Sequence, residues 1–423
     1  MTVFMRHHIF LVSFFSLFIV FKVAAQRGNS PYSYYALGDL VQEGGVSHMS
    51  MGGIGVATSS PAYYSSINPA FLSRHKLTCF EVGAWGESKN LLTTTALQRT
   101  QTGSLGYAGI AFPVTDSWSV GAGLNRYTSV NYFNQTEKLL PRSSVYAVLT
   151  NKGSGGINQA YVASGYDFKK KLYLGARLNF NFGSIDDQSQ SLIDDGLSLF
   201  KVEQLDRTSI QDFSLRLGAA YRQSVGDEKF ITVGMVYDLP ANVGATSFRS
   251  RQRLTTVDVI LSSDTLSRND KKTISVPAAY KFGISYEKSF FHTIGIDISM
   301  QDWASFKGFV GTNETLTNTI KVNAGAEIAP NPNSLYNYFA RVTYRVGATY
   351  TQLPLRLAGT QLDEKTVSLG ASFPVSRGIS AINTAFVLGT RGTIENGLIQ
   401  ENFFRFHLGV TINDQWFLRR KIN

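Results

Sequence analysis

The stretch LYLGARLNFNF, Leu172 to Phe182, puts Leu172, Leu174, Ala176, Leu178, Phe180 and Phe182 on one face of an extended chain. Tyr173, Gly175, Arg177, Asn179 and Asn181 fall on the other. Side chains of a strand point alternately to its two faces, so this period of two reads as a strand with one apolar and one polar surface. The alternation recurs at Ile294–Met300, Ile320–Ile328 and Phe404–Ile412. A soluble sandwich would alternate in the same way, so the connections must decide.

Strands are predicted near 77–87, 101–113, 117–130, 156–168, 171–184, 209–224, 228–240, 276–288, 291–303, 318–330, 337–350, 364–374, 378–391 and 401–412. Short connections at about 114–116, 169–170, 225–227, 289–290, 331–336 and 375–377 alternate with longer ones at 88–100, 131–155, 185–208, 241–275, 304–317, 351–363 and 392–400. Short turns at one end and long loops at the other, around spans of ~10 residues, are the pattern of a bacterial outer-membrane barrel. Residues 90–98 and 244–260 also carry strand character, so the pattern allows ~14 to 16 strands. The expected fold is therefore all-β: a transmembrane antiparallel β-barrel. The four tryptophans fall at predicted strand ends, Trp85 and Trp303 toward the long loops, Trp118 and Trp416 toward the short turns. That predicts two interfacial girdles.

The start of the chain fits export. Arg6, His7 and His8 precede the apolar run Ile9–Phe21, which is short for a membrane helix, and Val23-Ala24-Ala25 offers a cleavage site. Residues 1–25 are expected to be a signal peptide, 26–76 a lead-in and hatch, and 77–423 the barrel. Tyr32, Tyr34 and Tyr35 of the lead-in are expected to pack inside the barrel or touch a partner. Charged residues make up 17% of the chain and aromatics 13%, against about 25% charged in soluble proteins. The lone Cys79 excludes an internal disulfide and a lipid anchor at the cleavage site. The formal charge of +10 is scattered over strands and turns. It points to outer-membrane lipid and lipopolysaccharide phosphate, not to nucleic acid. Both termini, including Asn413–Phe417 and the basic tail Arg419, Arg420 and Lys421, are expected to be periplasmic or luminal.

One segment breaks the alternation. Met49–Arg74, MSMGGIGVATSSPAYYSSINPAFLSR, is rich in small residues and has neither strand nor helix period. A turn-rich segment ahead of a strand array suggests a plug inside what the strands enclose. It resembles the N-terminal hatch of the FadL/TodX family of outer-membrane transporters, on two features: the small-residue run Met51–Ala57 and the triplet Asn68, Pro69, Ala70 just before the first strand. The resemblance implies a 14-strand barrel with a luminal hatch and passive uptake of hydrophobic small molecules such as long-chain fatty acids. The lead-in SPYSYYALGDL, Ser30–Leu40, resembles a mature N-terminus common among such barrels in Bacteroidota. Some FadL-like barrels there are recruited into larger machines, as in the type IX secretion system. The alternative to transport is thus a non-transporting subunit of an outer-membrane secretion or protein-assembly complex.

The faces predicted to point inward carry Arg177, Arg216, Arg222, Lys281, Asp297, Lys321, Glu327, Arg341, Arg345, Arg405 and His407. These serve either as ties between plug and wall or as partners for the carboxylate of an amphiphile, which a planar guanidinium grips through two hydrogen bonds. Arg177, Arg216, Arg341, Arg345 and Arg405 are the candidate ligand contacts. Inward glycines such as Gly175, Gly218, Gly234, Gly325 and Gly347 mark either room for the plug or an opening in the wall. Asp186-Asp187 and Asp194-Asp195 fall in one predicted loop without EF-hand spacing and read as solvated acids. No metal-ligand spacing, nucleophile motif or complete dinucleotide fingerprint is present, so neither enzyme activity nor a cofactor is expected.

Overall fold

The computed structural model describes residues 29–142, 144–194, 200–308, 316–375 and 380–415. The expected targeting segment 1–25, Asp195, Trp416 and the basic tail lie outside them. A single sheet runs through β1 (Asp39–Leu40), β2 (Thr78–Leu92), β3 (Leu97–Pro113), β4 (Trp118–Arg126), β5 (Thr128–Leu139) and β6 (Tyr146–Phe168). It continues through β7 (Leu172–Asp194), β8 (Phe200–Gly226), β9 (Lys229–Asp238), β10 (Ala241–Thr255), β11 (Ile260–Val276) and β12 (Ala279–Lys288). β13 (His292–Gln301), β14 (Thr319–Ile328), β15 (Thr343–Leu357), β16 (Thr360–Pro374), β17 (Ala381–Arg391) and β18 (Gln400–Asp414) complete it. Among the described residues, two short helices, α1 (Val46–Met49) and α2 (Tyr338–Arg341), lie outside the wall strands.

β18 pairs with β2 from Gln400↔Leu92 to Asp414↔Thr78, which closes the sheet into a barrel. β4 and β5 both lie on β6, and β9 and β10 both lie on β8, so each couple is one bent strand. β11 and β12 form a third. Counted so, with β1 inside, the wall has 14 antiparallel strands. Pro240 and Pro277 sit at two of the bends, where a residue without an N–H does least harm to the ladder.

The alternation sorts the faces as expected. Leu178 stands opposite Val162 and Leu215 on the outer surface, 45% exposed, while its neighbour Asn179 is buried inside. Several expected loops are instead strand. Residues 88–100, 131–155, 185–208, 241–275 and 351–363 are largely the upper halves of hairpins, and β8 runs unbroken from Phe200 to Gly226. Where both faces of a strand meet water the apolar alternation fades although the ladder continues. The aspartate pair Asp186-Asp187 accordingly lies on β7, where Asp186 pairs with Arg207 at 2.6 Å and Asp187 accepts from the Tyr132 hydroxyl at 2.7 Å. The girdle is also corrected. Trp118 is exposed at a strand end, but Trp303 is buried under the upper end of the lumen and Trp85 lines an internal cavity. A tryptophan at a strand end takes whichever face the local register gives it.

Candidate functional site

The lower lumen is filled by residues 46–75. This segment has little regular structure, so its backbone groups need partners from elsewhere. Wall side chains supply them. Asp297 accepts from Gly55 N and Val56 N at 2.7 and 2.9 Å. Gly52 N donates to Ser368 Oγ at 2.9 Å, and Thr349 Oγ1 donates to Gly52 O at 2.7 Å. Glu81 accepts from Tyr64 N at 2.9 Å, and Ser285 Oγ donates to Ala57 O at 2.8 Å. Arg74 reaches Glu287 at 3.2 Å. The wall also makes room: a Cβ added at Gly175, Gly218, Gly234, Gly325 or Gly347 would collide with Pro69–Ala70, Asn68, Val56, Met51 or Gly52 in turn. The inward glycines thus let two backbones approach.

The triplet marks the turn where this segment meets the wall. Pro69 opens a 3-10 turn, Pro69–Arg74. Asn68 caps it by accepting from Ala70 N at 3.1 Å, and donates to Val56 O at 2.7 Å and Ala219 O at 3.3 Å. Ala70 is fully buried.

The upper lumen holds a hydrophobic cluster that includes Trp303, Phe306, Leu316, Leu353, Leu355 and Leu362, packed with Tyr32 and Leu37 of the lead-in. Between roof and floor lies a cavity of ≈ 380 Å³. Its apolar lining comes from Tyr35, Leu37, Ile157, Ile210, Val243 and Leu353, and its charged lining includes Glu43, Arg216, Asp238, Lys281 and Lys321. Arg216 sits between Glu43 (2.6 Å) and Asp238, and Lys281 lies 2.8 Å from Glu43. Burial alone would raise the Glu43 carboxyl; the two cations outweigh it and hold that group well below the usual carboxylate range.

The cavity reaches the wall at a seam. β3 pairs with β4 only from Tyr107 to Pro113. Among the described residues, the outer edge of β3 above Tyr107 has no strand beside it, because β5 bends away with β6. Residues on both flanks, Ala84, Trp85, Gly106, Asn125 and Tyr127, line the cavity. The lead-in crosses behind this seam. Asn29 N donates to Asn131 O at 2.8 Å, its side chain bonds Glu87 at 3.0 Å and Thr100 at 2.9 Å, and β1 pairs with β5 as Asp39↔Ser129. Arg391 then clamps Asp39 at 2.8 Å.

The candidate arginines divide. Arg177 donates to Ser66 O at 2.9 Å and Gln159 at 3.1 Å and lies over the Tyr161 ring. Arg345 pairs with Glu327 at 2.9 Å, and Arg405 pairs with Glu87. With Arg216, these are brought inside and already engaged. Arg341 is not inside. Asn337 accepts from Ala340 N at 3.3 Å and winds the expected strand start into α2, which leaves Arg341 on an outer turn over the Tyr338 ring. Among the described residues lining the cavity, Arg126, Arg177 and Lys321 have no carboxylate within salt-bridge distance.

A family model described as BamG matches residues 5–423. The chain belongs to the BamG family. No curated protein matches it in sequence. Solved structures do match in fold. The CymD monoaromatic hydrocarbon channel is 15% identical, with 90% of this chain and 99% of that one covered at a TM-score of 0.57. The Pseudomonas putida toluene transporter TodX is 16% identical over 89% and 100% at 0.58, and a Pseudomonas aeruginosa FadL homologue 11% identical over 89% and 99% at 0.56. At such identities the likeness establishes the barrel fold that the hatch motif implied. Sequence reading missed Glu43, Glu87, Asp238 and Glu401 as partners of inward cations, and missed Arg391, which pairs with Asp39 and Glu364. Their signal was present in part, since Glu87 and Glu401 have the parity of inward positions at the ends of predicted strands.

Proposed function

We propose that this BamG-family barrel sits in the outer membrane with its short turns in the periplasm and works as a non-conducting subunit of a larger protein-assembly or secretion complex. The observation that carries this reading is the filled lumen. The floor is bonded to the wall at many points and the upper lumen holds a packed apolar cluster, so the described residues occupy much of the barrel axis. A barrel so largely filled is suited to offering surfaces to other proteins in the membrane. The experiment is extraction in mild detergent followed by mass spectrometry of what co-purifies. Stoichiometric protein partners support the reading. Their absence, with a bound acyl chain or hydrocarbon in their place, rejects it.

A second reading has its own support. The cavity is apolar above and charged below, opens toward the seam, and presents Arg126, Arg177 and Lys321 without acid partners. That suits a hydrophobic small molecule with a polar head entering or leaving through the side of the barrel. Lys321→Gln should lower retention of such a ligand without disturbing the wall, and unchanged retention would reject the site.

A further inference from the structure

Most turns at the short-turn end are brief and charged, such as Lys169–Lys171 and Asp227–Glu228. The chain between β14 and β15, Ala329–Val342, differs. It leaves the wall as APNPNSLYNYFARV and exposes Leu335, Tyr336, Tyr338 and Phe339. The turn between β12 and β13 adds exposed Phe290 at φ +66°, a region that a bulky side chain enters only under strain. The two turns adjoin, since Ala329 N donates to Phe291 O at 2.7 Å.

The projection is built. Asn331 N donates to Ala340 O at 2.7 Å, Asn337 N to Ser334 Oγ at 3.1 Å, and the Tyr338 hydroxyl to Pro374 O at 3.1 Å across the neighbouring strand end. It also differs from a lipid girdle. Outer-wall tyrosines such as Tyr166, Tyr221 and Tyr344 lie against their neighbours and are 44%, 48% and 39% exposed. Tyr336 is 99% exposed and Leu335 78%. A cluster of large apolar side chains held clear of the protein marks an interaction surface. Its fringe is cationic on the Leu335–Phe339 side, where Arg341 lies over Tyr338 and Glu327 is engaged by Arg345; on the Phe290 side Lys288 lies over Phe291, and the exposed Glu228 adjoins through Ser289 N, which donates to Glu228 O at 2.9 Å.

We propose that Phe290 and Leu335–Phe339 form the docking epitope for a periplasmic protein partner that presents an apolar cleft with a carboxylate facing Arg341. This rests on the reading of the barrel as a subunit of a complex and names where one partner binds. Aromatic anchors beside an arginine are the residues that dominate such contacts.

The test uses full-length wild-type protein and the variant L335S/Y336S/F339S, extracted from native membranes in mild detergent and run on native gels, with barrel folding followed by heat-modifiable mobility. Wild type is expected in a high-mass species. The variant should lose that species at least tenfold with its barrel folded, and R341E should weaken it in a salt-dependent way. A variant that keeps the high-mass species overturns this proposal and leaves the subunit reading standing. Wild type running alone overturns both. A Tyr336→Trp protein in phosphatidylcholine–phosphatidylglycerol vesicles with brominated chains should fluoresce unquenched. Strong quenching would place the turn in the lipid interface and overturn the docking role.

Discussion

The side-chain oxygen of Asn68 occupies the space in which any other residue at Gly218 would place its Cβ. At this point the fit between plug and wall turns on one atom. The same amide donates to Val56 O and Ala219 O, so it joins two parts of the plug and the wall at once.

Asn68→Ala takes the amide donor from the buried Val56 O, at a cost of about 1–3 kcal/mol. Gly218→Val pushes the same amide out of place. Each should raise hydrogen exchange across 52–75 while the barrel keeps its heat-modifiable mobility. The double variant should be less damaging than the two effects added, because both remove one contact. Cells carrying Asn68→Ala with Pro69→Gly should also become leakier to small hydrophilic antibiotics. Full additivity, or unaltered exchange, would mean that the plug is seated elsewhere.

Leu178 and Gln188 share the outer face of β7, about 33 Å apart along the strand. If the upper half of β7 stands clear of the membrane, Leu178→Arg should cost about 2–4 kcal/mol and Gln188→Arg about 0–1. Folding titrations into lipid vesicles measure both. Equal penalties would put the raised hairpins in lipid.

Acid should loosen the plug. Burial, with Arg345 nearby, pushes the His48 imidazole down to about 3, and burial with Arg74 pushes His75 to about 4. In a released plug both return to about 6.5. Between these values the released state binds more protons, so seating is strongest above about pH 6.5 and weakens as pH falls. His48 Nδ1 also accepts from Gly45 N at 3.2 Å, a bond that the protonated ring forfeits. Protection factors across 46–75 should drop from pH 7.5 to pH 5, and His48→Gln should flatten the drop in part. Protection that rises on acidification would contradict the assignment.

The wall was legible because its strands separate lipid from lumen. Leu172–Phe182 must be apolar on one side, and a period of two follows. The stretch IDDQSQSLID, Ile185–Asp194, shows no such separation, so its sequence reads as loop although it is strand. The plug was legible through composition, because only small residues and a rigid Asn68-Pro69 bend fit against wall glycines. The cavity was not. It depends on β5 leaving β3 and on Glu43 meeting Arg216 from the far end of the sequence, relations that no local pattern encodes. Arg341 failed for the opposite reason, since a local cap at Asn337 displaced the strand start that spacing suggested.

The seam separates the two functional readings. β1 pairs with β5 as Asp39↔Ser129, and partners across an antiparallel pair have Cα atoms about 4.5–5.5 Å apart, close enough for a disulfide. Asp39→Cys with Ser129→Cys should therefore oxidise readily. Arg391 loses Asp39 but keeps Glu364 at 2.9 Å, and Cys79 is buried away from the reaction. The bond would lock the lead-in behind the seam, with the reduced form as control. If the barrel serves as a subunit that takes no ligand through its side, the locked and reduced proteins should support the same high-mass complex and the same growth. If hydrophobic molecules pass the seam, locking should cut their uptake or retention severalfold, and reductant should restore it. A locked protein that loses its partners but not its ligand would show that the lead-in moves when the complex forms, and would assign β1 to assembly instead of transport.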